Sequence, residues 1–87
     1  MRETEFCRKY AEFENSLKRT VLYCLLSECG ENGGWGVRIR IAETGERRDA
    51  ADLTQHRAEA ERLLDMMATG LVTPSTMADV VEDWFGR

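Results

Sequence analysis

Proline occurs once in these 87 residues, histidine once, and cysteine three times with no pair at CxxC spacing. The lone Pro74 excludes a proline-rich linker or recognition segment. An odd set of thiols, Cys7, Cys24 and Cys29, is a poor basis for a secreted disulfide framework and fits reduced cysteines. With His56 as the only histidine, the soft-ligand set is too sparse and badly spaced for a zinc centre, so no metal or other cofactor is expected. No basic segment leads into an apolar one at the N-terminus, and no apolar run approaches the roughly 18 to 20 residues that cross a bilayer. These absences point to a cytoplasmic protein without a membrane partner.

Charge is plentiful and unevenly placed. Residues 1–50 carry nine Lys/Arg and nine Asp/Glu, whereas 51–87 carry three and seven, so the net charge of −4 belongs to residues 51–87. That balance disfavours nucleic acid as a partner for the C-terminal segment. The length suits one small domain, 1–87, which buries roughly 60 to 70% of its unfolded surface.

Two amphipathic helices are expected over 52–87. Ala60, Leu63, Leu64, Met67 and Leu71 recur at helical spacing and define one apolar stripe. Gly70 is placed to end that helix in the left-handed conformation, and Thr73 followed by Pro74 to begin the next. Met77, Val80, Val81, Trp84 and Phe85 form the second stripe and are expected in the core. Asp79, Glu82 and Asp83 lie on the opposite face. At the start of the pair, Asp52 or Thr54 is expected as N-cap, with Gln55 in capping-box position after Asp52.

Antiparallel strands are expected over 20–51. Thr20 to Glu28 is rich in β-formers, and Trp35, Val37, Ile39 and Ile41 alternate with Gly36, Arg38, Arg40 and Ala42. The loop from Cys29 to Gly34 is short enough for a hairpin and too short for a parallel crossover. After the turn at Thr44-Gly45-Glu46, residues 47–51 return as an edge strand of a three-stranded meander. Ahead of the sheet, Phe6, Tyr10, Phe13 and Leu17 recur at helical spacing, which predicts an N-terminal helix over 1–19, from about Glu3 to Lys18 and closed near Asn15 and Ser16. The expected architecture is α+β, with an N-terminal helix, a two- or three-stranded antiparallel sheet, and two C-terminal helices packed on one sheet face.

The first of these strands is apolar on both sides, with Val21, Tyr23 and Leu25 on one face and Leu22, Cys24 and Leu26 on the other. Its neighbour is apolar on only one. The second face therefore needs a cover, either the N-terminal helix or a second copy of the chain.

No constellation of acid, base and nucleophile stands out, which argues against an enzyme. The polar features left over are the sheet arginines Arg38 and Arg40 and the carboxylates Asp79, Glu82 and Asp83. These five are the candidate partner-binding residues of a small interaction or regulatory module that binds protein and associates with itself as a homodimer. The alternative is a nucleic-acid-associated protein that uses the arginine stripe.

Several segments carry a resemblance: Tyr23 to Leu26, Trp35-Gly36-Val37-x-Ile39, Ala51-Asp52-Leu53-Thr54, Leu63-Leu64-Asp65, and the ending from Val72-Thr73-Pro74 through Asp79-Val80-Val81-Glu82-Asp83-Trp84-Phe85. Together they resemble an uncharacterised family of short bacterial proteins, found mainly in Gram-positive anaerobes, over about residues 20–85. Trp35 stands where a tyrosine is usual there. The resemblance implies a bacterial cytosolic protein and supplies no catalytic residue.

Overall fold

The computed structural model describes residues 1–13 and 17–86. Four strands come first: β1 (Arg2–Phe13), β2 (Leu17–Cys29), β3 (Gly34–Ile41) and β4 (Arg47–Thr54). They form one antiparallel sheet in the order β1-β2-β3-β4. The helices α1 (Arg57–Thr69) and α2 (Pro74–Phe85) follow. The fold is α+β, and the paired β2, β3 and β4 agree with the meander expected from alternation.

The N-terminal helix is not there. Arg2–Phe13 is a strand that pairs with β2 from Arg2↔Ser27 to Phe13↔Leu17. The expected helix also spanned residues 14–16, including Asn15 and Ser16, which lie outside the described residues. The reason is tertiary. β2 has two hydrogen-bonding edges and β3 satisfies only one, so an extended N-terminal segment pairs a row of N–H and C=O groups that would otherwise stay open. A helix of such length has little stability of its own to set against that. Phe6, which contributed to the helical spacing, is the extra residue of a bulge between Glu5↔Cys24 and Cys7↔Tyr23.

Both helices lie on one face of the sheet. Val21, Tyr23, Leu25, Val37 and Ile39 meet Ala60, Leu63, Leu64, Met67, Ala68 and Met77 in a single buried cluster. The first stripe is therefore a core stripe, except that Leu71 is exposed. In the second, Met77 is buried while Val80, Val81 and Trp84 are half-buried and Phe85 is exposed, so α2 is anchored mainly through its N-terminal half. The Tyr23 hydroxyl donates 2.8 Å to the Val72 carbonyl and ties the α1–α2 connection to the sheet centre. Burial pushes this phenol up to about 12, so it remains a donor at neutral pH.

The helix boundaries also differ from expectation. β4 runs through Thr54, and α1 starts at Arg57 after His56, with no side-chain cap. Thr54 Oγ1 instead accepts from the His56 N–H at 3.1 Å. At the far end Gly70 keeps a φ of −87°, and Leu71 takes the left-handed position with φ 50°. Thr73 does occupy the N-cap of α2 and Pro74 its first turn, although the Thr73 hydroxyl pairs with Ser75 Oγ at 3.1 Å rather than with the backbone.

Asp52 and Gln55 pack onto the β2–β3 loop and do not cap a helix. A Cβ at Gly34 would overlap the Asp52 carboxylate and come within 3.0 Å of Gln55 Nε2. One residue on, the register jumps from Trp35↔Thr54 to Val37↔Ala50, so β4 bulges against Gly36. A Cβ at Gly36 would overlap the Ala50 carbonyl, which is backbone and cannot swing aside. Gly36→Ala is therefore expected to cost about 2 kcal/mol or more, the range of enforced backbone strain. The urea-unfolding midpoint measures this, and an unchanged midpoint would show that the bulge yields freely.

Candidate functional site

The five candidate residues fall into two groups on opposite sides of the molecule. Arg38 and Arg40 stand on the sheet face away from the helices, opposite Cys24 and Leu22 respectively. Asp79, Glu82 and Asp83 stand on the exposed side of α2.

On the helix-free face, Leu22, Cys24 and Leu26 are 7%, 0% and 0% exposed although no helix covers them. The cover comes from long charged side chains on the two flanking strands. Register places Glu3 beside Leu26, Glu5 and Arg38 on either side of Cys24, and Arg8 and Arg40 on either side of Leu22. Their aliphatic stems lie over the apolar row while the charged ends pair above it. Arg38 bonds Asp49 through Nε at 2.5 Å and Nη2 at 2.8 Å, and bonds Glu3 through Nη1 at 2.5 Å. Arg40 Nη2 reaches the other Glu3 oxygen at 3.2 Å, and Arg8 grips Glu5 at 2.7 and 2.9 Å. The second face of β2 is thus covered within the chain, by neither an N-terminal helix nor a second copy.

These pairings set the protonation of the face. The bond from Arg38 holds the Asp49 carboxyl below its usual range, and the bonds to Asp49 and then Glu3 hold the Arg38 guanidinium more firmly charged. Burial, helped by the Glu3 charge, pushes the Cys24 thiol up to about 11, so at neutral pH it is an inert apolar side chain. At the end of the β2–β3 pair, Glu43 accepts from the Thr20 N–H at 2.7 Å and the Thr20 hydroxyl at 2.8 Å, and those bonds lower its pKa.

The acidic group borders a cavity. Met66 on α1 with Asp79, Val80, Asp83 and Trp84 on α2 line a groove of about 470 Å³ between the two helices. Its floor is apolar, from Met66, Val80 and Trp84, and its rim carries two carboxylates one helical turn apart. Glu82 lies outside the lining. Like charges at i, i+4 repel by a few tenths of a kcal/mol. Asp83 and Glu82 also sit in the last turn of α2, where the helix dipole disfavours negative charge, and that turn holds no basic residue. The groove therefore sets carboxylates beside apolar side chains. Sequence reasoning identified its carboxylates but not its floor: Met66, one residue from the buried Met67, falls outside the core stripe, and Trp84 was assigned wholly to the core.

A second concavity of about 330 Å³ lies along Tyr10, Glu12, Lys18 and Glu43. It mixes both signs of charge. Among the described residues, no three His, Cys, Asp or Glu side chains come together as a metal site.

A family model described as a family of unknown function, DUF6514, matches residues 2–87. The chain belongs to this family. The DUF6514 match includes β1, which the resemblance over about residues 20–85 left out. No curated protein and no solved structure matches the chain. Among the described residues of this DUF6514 protein, no helix is long and apolar enough to cross a membrane.

Two outcomes follow from the arginine face. Arg38→Ala uncovers part of the apolar row and leaves the Glu3 and Asp49 carboxylates with less compensation, at an expected cost of about 2 to 3 kcal/mol in urea unfolding. A loss below ~0.5 kcal/mol would mean that the pairs are no more than solvated surface contacts. The lowered pKa values of Asp49 and Glu43 make stability complete above the ordinary carboxylate range and progressively lost as pH falls through the lowered values. Asp49→Asn is expected to flatten that acid limb, as followed by circular dichroism against pH.

Proposed function

We propose that this protein is a small, non-catalytic binding module of the cytoplasm that recognises protein through the α1–α2 groove and associates with itself. The observation that carries this reading is the groove's composition: Met66, Val80 and Trp84 beneath Asp79 and Asp83. Apolar contact area there supplies affinity, and the carboxylates select a partner segment with a cation next to a hydrophobic side chain. The half-buried state of Trp84 suits such a role, because an aromatic anchor at a groove gains the most when a partner completes its burial. Three unpaired thiols, Cys7, Cys24 and Cys29, are in keeping with a reducing compartment.

The alternative of a nucleic-acid-associated protein finds less support. Phosphate binding needs free guanidinium donors; Arg38 is held by both Glu3 and Asp49, and Arg40 bonds Glu3 through Nη2 while its Nε is buried without a hydrogen-bond partner.

Fluorescence anisotropy with a labelled amphipathic leucine–lysine peptide tests the reading. Saturable binding is expected that weakens with salt, and Val80→Asp or the pair Asp79→Asn with Asp83→Asn should weaken it at least about tenfold, ~1.4 kcal/mol. Equal binding by these variants would remove the groove as the recognition site. Salt-sensitive binding of a single-stranded oligonucleotide, lost in Arg40→Gln, would favour the alternative.

A further inference from the structure

We infer that Asn32 is a site of spontaneous covalent modification, at which the side-chain amide is lost through a cyclic imide formed with the backbone nitrogen of Gly33, leaving aspartate and isoaspartate. The pair lies in the β2–β3 loop, where residues 30–33 form an exposed turn and Gly34 is already buried at the start of β3. Asn32-Gly33 is the one Asn-Gly step in the sequence; Asn15, the other asparagine, precedes Ser16.

The reaction needs a backbone nitrogen that can be approached, a side chain free to turn towards it, and a backbone able to bend into a five-membered ring. Gly33 supplies the first. A Cβ at this position would meet nothing within 4 Å, and glycine has no Cβ of its own to shield the nitrogen. Its N–H donates only to the Gly30 carbonyl, over a long 3.5 Å, so little is lost when that bond opens. Asn32 supplies the second: among the described residues nothing hydrogen-bonds its side-chain amide. The third follows from the φ of 65° at Gly33, since glycine crosses backbone regions closed to other residues at little cost. The turn requires a left-handed residue here, and glycine in that role puts an unshielded nitrogen directly after an asparagine. Gly34 and Gly36, by contrast, are pressed against Asp52 and Ala50 and have no such freedom.

Hydroxide removes the Gly33 N–H proton and the nitrogen attacks Asn32 Cγ. The Cγ–N bond of the side-chain amide breaks, and ammonia leaves with a proton taken from water. Water then opens the imide at either carbonyl: attack at Cγ restores the normal backbone with an aspartate side chain, and attack at the main-chain carbonyl leaves the chain running through the side chain as isoaspartate. No electrons change hands, and water is the only co-reactant. Either product adds one carboxylate to a chain of net charge −4. The new charge stands beside Glu31, in the loop onto which the Asp52 carboxylate packs. Isoaspartate also lengthens the loop backbone by one methylene.

The test is incubation of the reduced, full-length chain at mildly alkaline pH, followed by ion exchange and peptide mapping by mass spectrometry, beside the same chain unfolded in urea. A form with one more negative charge is expected, mapping to Asn32 and containing isoaspartate together with aspartate, and its rate of formation should rise with pH. Because exposed turns open at little free-energy cost, the folded chain should convert at a rate within about tenfold of the unfolded one. Asn32→Gln, whose longer side chain would have to close a six-membered ring, should abolish the form, and Gly33→Ala should slow it at least tenfold. Alanine at position 33 is strained by the positive φ, so Asn32→Gln carries the test if circular dichroism shows that the Gly33→Ala chain misfolds. The inference is overturned if Asn32 keeps its amide in the folded protein for as long as the unfolded chain takes to lose it, if the product is aspartate alone, or if the added charge maps elsewhere.

Discussion

Strand β2 must be kept dry on both faces while sitting in the middle of a sheet only four strands wide, and the two faces are dried by different physics. On one side, two helices bring Leu63, Leu64, Met67 and Met77 against Val21, Tyr23 and Leu25, and area burial supplies the free energy. On the other, nothing apolar arrives. Arginine and glutamate stems from β1 and β3 lie across Leu22, Cys24 and Leu26, and the charged ends neutralise one another above them. Removing β1 would expose that row and open one edge of β2 at the same time.

The proposed recognition surface lies in the helical layer. The ion-paired face is closed: its charges point at each other, and its one thiol is protonated and covered. The helix side is unfinished by comparison. α2 buries Met77 and Pro74 firmly and then rises into half-buried Val80, Val81 and Trp84 and exposed Phe85, with carboxylates concentrated where its dipole least favours them. The binding role proposed for this surface rests on the apolar area that α2 leaves partly open, a quantity that association recovers.

Much of this was legible in the order of residues, because alternation and helical spacing report burial directly. The strict alternation from Trp35 to Ile41 and the stripe Ala60, Leu63, Leu64 and Met67 need only one buried face each, and both stand as read. The same local logic failed where a residue's role depends on a distant neighbour. Phe6, Tyr10 and Phe13 fit a helix as well as a ribbon, and only the open edge of β2 decides between them. Asp52 and Gln55 have capping-box spacing, yet the glycines at 30 and 34 draw the Asp52 carboxylate into the β2–β3 loop.

By itself, then, the sequence determined an α+β chain with a central two-sided strand, two amphipathic helices and an acidic C-terminal segment, since periodicity and charge are local properties that any compact solution must respect. Tertiary structure alone decided that the N-terminal segment is a strand, that Arg38 bridges Glu3 and Asp49 across 35 and 11 residues of chain, and that Met66 joins Trp84 beneath Asp79 and Asp83. Those outcomes depend on which surfaces meet once the helices have chosen a face of the sheet. No local pattern encodes that choice, because the free energy that makes it is shared among residues far apart in the chain.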